Sequence, residues 1–279
     1  MGVCMNTERN LRALRRLSMA VTAFALLLAA AGMVQIGLGG IAVSEEYERI
    51  EEIEELTRQR TIYGFRARQL ALEAEYRRSS TAFFLEGRFM PSDDELSFDD
   101  PAVLTGIASL LAAFGFLAAA IAWVWRAHRN LTEAGMRPKF TAGKAVAGYL
   151  LPFVNFIVPF EAMRELYNRS HNEPEEFVDS TVEDVTAWYT AMVTGLLIFS
   201  AMTIKFALDY YTNLIIMTPL WMEFAIVAFA LILLLGAAYL FSSLARRITA
   251  AQEEHLADMA EHVPVEDTKP RMSVNVLQS

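Results

Sequence analysis

Lysine and glutamate are rare inside long apolar runs, and this chain places one of each at the edges of two of them. Lys205 closes the run that ends at Ile204, and Glu223 sits just inside the run that begins at Leu220. Asp209 follows Lys205 at i+4, one helical turn away. Ionisable groups at membrane depth are expensive unless paired, and they often mark proton or ion routes. Two chemistries fit these three residues: a latch that ties two helices together, and a coupled proton or ion site. A lysine close to an interface also reaches water by extending its stem.

A second group surrounds the stretch YLLPFVNFIVPF, where Pro152, Asn155 and Pro159 interrupt an otherwise apolar run. Each proline removes a helical hydrogen bond and crowds the carbonyl four residues earlier. Carbonyls freed at membrane depth need partners in protein or trapped water. The segment 143–162 therefore reads either as a broken re-entrant helix, of the kind that lines sites in transporters, or as a kinked amphipathic helix wedged at the interface. Arg126 and Asn130, four residues apart on one helical face, are expected to donate to the freed carbonyls. Asn130→Leu would then destabilise the protein.

The remaining reactive types form no recognisable set. His128, His171, His255 and His262 are scattered, read as surface histidines, and match no metal-ligand spacing. The acidic run Asp93, Asp94, Glu95, Asp99 and Asp100 lacks the spacing and glycine of a calcium loop. No nucleophile elbow, phosphate loop or zincin helix occurs. No catalytic residue, metal site or cofactor is expected. The single cysteine, Cys4, cannot form an intramolecular disulfide, and Asn6 stands where N-myristoylation prefers Ser or Thr.

The elements that must position these residues are membrane spans. The chain has 279 residues, 54% of them hydrophobic, gathered in long runs. A net charge of −9 argues against nucleic acid, which calls for clustered cations. Four runs reach the roughly 20 residues a span requires: 18–43, 102–125, 187–204 and 220–241. Lys and Arg flank them on one side, with Arg9, Arg12, Arg15 and Arg16 before the first, Arg126 and Arg129 after the second, and Arg246 and Arg247 after the fourth. By the positive-inside rule both termini, 1–17 and 242–279, face the cytosol, as does 126–186 with its broken helix. The short link 205–219 and the loop 44–101 face outside. Trp123 and Trp125 are expected at the inner interface, with Tyr210, Tyr211 and Trp221 at the outer one. The outer loop reads as a charged helix continuing the first span. Its apolar tip, with Phe83, Phe84 and Phe89, is either a partner contact or a cluster packed on its own loop. The fourth helix is expected to run to about His262.

From Trp125 to Trp188 the residues resemble a family. Arg126 and Asn130 in WRAHRNL, Gly135, Phe140, Gly143 and Ala145 carry the likeness. Pro152, Asn155 and Pro159 continue it, then Met163, Leu166 and Ser170 in EAMRELYNRS. The likeness is to an uncharacterised family of bacterial multi-pass membrane proteins catalogued as a domain of unknown function, number 4328. Lys144 and Tyr189 depart from it, standing where tryptophans are expected. The resemblance implies a multi-pass topology and a bacterial inner-membrane setting, and it lends no activity. The expected fold is an all-α integral membrane protein. The expected role is a non-enzymatic structural, assembly or regulatory subunit in the lipid bilayer, binding a protein partner or a second copy of itself. The alternative is a small transporter or channel using the broken helix with Lys205 and Glu223.

Overall fold

The computed structural model describes residues 2–57, 65–66, 79–86, 100–151, 157–212 and 218–262. Among them the ordered elements are helical. Four helices are long and apolar enough to cross a membrane: α1 (Gly2–Thr57), α3 (Pro101–Glu133), α6 (Glu183–Tyr211) and α7 (Leu220–His262). Three short α-helices also occur among the described residues, α2 (Ser80–Glu86), α4 (Ala142–Leu150) and α5 (Val158–Ser170), with a 3-10 turn at Glu175–Phe177.

The long helices lie side by side in the order α3, α1, α7, α6. On α7, Leu220, Glu223, Val227, Ala230, Ala237, Phe241, Leu244, Ile248 and Gln252 are all buried. Steps of three and four residues keep one face of a helix turned inward. On α1, Leu14, Ser18, Val21 and Ala25 follow the same rule. The outward faces carry Leu26, Leu27, Met33, Leu111, Phe114 and Phe229, all exposed, as lipid contact requires. The two outer helices of the row, α3 and α6, are bridged by the short helices. At one end α2 touches both, and at the other α5 does.

Local signals explain the helix ends. Asp100 caps α3 by accepting from the Ala102 amide at 2.8 Å, with Pro101 in the first turn. Helix α1 runs unbroken from Gly2 through the first apolar stretch to Thr57, about 84 Å at 1.5 Å per residue. Its projecting part pairs Arg49 with Glu46 at 2.7 Å. Helix α7 reaches His262. Trp221, Tyr210 and Tyr211 are exposed at the end where α6 stops and α7 starts, and Trp125 is 44% exposed at the other. Trp123 does not belong to such a belt: it is fully buried, and its indole donates to Thr249 Oγ1 at 3.1 Å.

The segment expected as one broken helix is two helices. The first ends at Leu150, where Leu151 turns to extended backbone. The second starts at Val158 with Pro159 in its first turn. Pro159 therefore begins a helix and does not break one, in the position where its missing N–H costs nothing. Pro152 and Asn155 lie outside the described residues. Gly148 lies where these two helices meet. A Cβ there would stand 2.4 Å from Val158 Cγ1, so the glycine is what lets α4 and α5 close on each other. Gly148→Ala is expected to cost about 1–3 kcal/mol by overpacking. Adding Val158→Ala should return about half of that loss, read from thermal unfolding in detergent. A Gly148→Ala protein as stable as the parent would show that the contact is not tight.

Candidate functional site

At the end of the bundle where α7 begins, a buried carboxylate gathers three helices. Glu223 is 1% exposed in the first turn of α7, where helix N-terminal polarity favours a negative charge. Its Oε1 accepts from Ser79 Oγ at 2.5 Å, Thr81 Oγ1 at 2.8 Å and the Thr81 backbone N–H at 3.0 Å. Its Oε2 faces Lys205 Nζ at 3.3 Å, and the same ammonium meets Asp209 Oδ2 at 2.6 Å. The Thr81 amide lies in the first turn of α2 and has no partner within its own helix, so Glu223 caps α2 from another helix. Ser80 Oγ donates to Leu220 O at 3.0 Å. Three consecutive hydroxyl residues thus bind the start of α7.

Apolar contacts seat the same helix. Phe84 stacks on Phe224 with centroids 5.8 Å apart, and Phe83 and Phe224 press on Gly39 of α1. Gln35, deep in α1, donates to Phe84 O at 2.8 Å. Phe83 and Phe84 are 4% and 7% exposed. The expectation of a partner contact at these rings is therefore corrected: they are spent on the chain's own core. Phe89 lies outside the described residues.

At the arginine-rich end a second polar knot joins α3, α5 and α7. Gln252, fully buried, accepts from Asn130 Nδ2 at 3.2 Å. Its own amide donates to Ala127 O and to Ser170 Oγ, each at 3.1 Å. Asn130 thus serves α7, while Arg126 turns to Glu133 at 3.5 Å; Asn155, whose carbonyl Pro159 is expected to free, lies outside the described residues. Glu165, 3% exposed, accepts from the backbone amides of Lys139 and Phe140 at 2.7 and 3.1 Å and from Arg169 at 2.8 Å, fixing the loop that follows α3. Asn168 donates to the carbonyls of Phe177, Val178 and Ser180. His128 is not a surface histidine: it is 1% exposed and its Nδ1 lies 3.0 Å from Val124 O. The Tyr149 hydroxyl is buried with no partner among the described residues, and burial pushes the phenol up.

The structure therefore brings Lys205, Asp209 and Glu223 together, and it separates Arg126 from Asn130 by partner. Sequence reasoning missed Ser79, Ser80, Thr81, Glu165, Thr249 and Gln252, and it marked Ser170 only through the family likeness. Among the described residues no three His, Cys, Asp or Glu side chains gather to hold a metal ion. A family model described as "Domain of unknown function (DUF4328)" matches residues 92–250. No curated protein and no solved structure matches the chain.

Proposed function

We propose that this chain, which belongs to the DUF4328 family, acts as a non-enzymatic scaffold or regulatory subunit of a bacterial inner membrane, with both termini in the cytosol. The family match and the four apolar helices make it a multi-pass membrane protein; the role is our reading. One observation carries it. Glu223, the carboxylate buried at membrane depth, is saturated by four donors from two other elements. A group so held fastens helices, whereas a carrier needs a site that trades partners. Among the described residues at that end, α1 beyond Val43 offers a charged surface to a protein partner. There Glu45, Glu48, Glu51, Glu52 and Glu55 are exposed, which suits a basic segment.

The test is extraction of the full chain into native lipid discs without detergent exchange, followed by mass spectrometry of what is retained. A stoichiometric protein, lost when these five glutamates become glutamine, is the expected result. A second reading, a proton or ion pathway through Lys205 and Glu223, draws on the depth of that pair. A proton flux in proteoliposomes, read by a pH dye and abolished by Glu223→Gln, would replace the scaffold with a transporter.

A further inference from the structure

The junction of α1 and α3 at the arginine-rich end has a chemistry that the scaffold role does not use. The two helices are antiparallel, and three contacts set their register. Asn10 Nδ2 donates to Glu133 Oε2 at 2.6 Å, Phe24 lies over Gly115, and Gln35 lies over Gly106. This register places Arg16 level with Trp125 and Arg126. Arg9, Arg12 and Arg16, at i, i+3 and i+7, share one side of α1 and are exposed. Arg126 lies within electrostatic reach of both Arg129 and Arg9. Among the described residues, the carboxylates paired with these five guanidinium groups are Glu8, on Arg12 at 3.6 Å, and Glu133, shared by Arg126 and Arg129.

The cluster has donors to spare. Arg126 Nε is buried without a hydrogen-bond partner among the described residues, and Arg16 makes no ion pair among them. Its depth identifies the ligand. Arg126 directly follows the apolar run of α3, beside a half-exposed Trp125. Met19, one turn above Arg16, is 57% exposed on the apolar side. Amphipathic indoles and the first cations after a span sit at headgroup level. A site there meets phosphate on one side and acyl chain on the other, and guanidinium matches phosphate oxygens in pairs.

We propose that the α1–α3 junction is a binding site for an anionic phospholipid, with Arg16, Arg126 and Arg129 holding its headgroup phosphate. The attraction of a basic residue to an anionic membrane surface corresponds to about a fivefold gain per side chain. Full-length protein in dodecyl maltoside would be titrated with phosphatidylglycerol, with phosphatidylcholine of the same chains, and with inorganic phosphate. Bound molecules would be counted by native mass spectrometry. We expect phosphatidylglycerol to be retained about tenfold or more over phosphatidylcholine. Arg126→Gln with Arg129→Gln should bring the two lipids to near equality. Arg16→Gln should cut the preference about fivefold, and it decides the matter if the double variant does not fold. Equal retention of both lipids by the parent protein would overturn the site, as would an undiminished preference in the variants. Displacement of phosphatidylglycerol by millimolar phosphate would make it a soluble-anion site and overturn the lipid assignment.

Discussion

Replacing Glu223 with alanine should lower the unfolding free energy by about 3–5 kcal/mol, the usual cost of removing one partner from a buried charge pair. Four donors lose their acceptor at once: Ser79 Oγ, Thr81 Oγ1, the Thr81 N–H and Lys205 Nζ. Lys205 would keep Asp209, but in a setting from which one of two carboxylates has gone. The loss falls on α2, whose first-turn Thr81 amide Glu223 caps. Lys205→Met should cost less, because Glu223 keeps three neutral donors and the favourable start of α7. Glu223→Gln combined with Lys205→Met should cost less than the sum of the two single changes, since both report one interaction. Thermal unfolding followed by tryptophan fluorescence would read the series. The alanine variant should melt on the order of 10 °C below the parent. If it melts within a degree or two, Glu223 is not what holds α2 on the bundle.

The parts of this fold that were readable in the sequence are those written locally. Asp100-Pro101 announces the start of α3, and the extension of α7 to His262 follows from an unbroken helical pattern. Lys205 and Asp209 are one turn apart, so their pairing needs no tertiary information. The acceptor side of that latch was readable as well, because a glutamate just inside an apolar run must find a partner. Its other donors were not. Ser79-Ser80-Thr81 is separated from Glu223 by more than a hundred residues, and hydroxyls carry no periodic signal that points to one carboxylate. The available hint was composition: three hydroxyl residues, then one alanine, before a pair of phenylalanines. The prolines misled for a physical reason. A proline in an apolar run either breaks a helix or starts one, and Pro159 does the second. Gly148 is similar: its lack of a side chain was legible, but the neighbour that uses the space, Val158, opens a separate helix ten residues on, and no local pattern announces that contact.

Gln252 shows how the missed half of the polar framework was written. Phe241, Leu244, Ile248 and Gln252 continue the buried face of α7 in steps of three and four residues. The glutamine sits in a hydrophilic stretch, and only its register marks it as internal. Gln252→Met keeps the volume and removes the amide. Asn130 would then lack a partner on both amide atoms, since its Oδ1 already has none among the described residues, and Ser170 Oγ would lose the amide N–H it accepts from. At about 1–3 kcal/mol for each buried polar group left unpaired, the change should cost about 2–4 kcal/mol. Asn130→Leu leaves only Gln252 Oε1 stranded and should cost about 1–3 kcal/mol. The double variant removes both ends of one bond and should fall short of additivity by about 1 kcal/mol. Because Gln252 joins α7 to Ser170 of α5, the single methionine variant should also speed hydrogen exchange across Val158–Ser170 more than Asn130→Leu does. Exchange there that is equal in the two variants would mean that α5 is held by its apolar face and by Glu165, and that the glutamine bridges α3 to α7 alone.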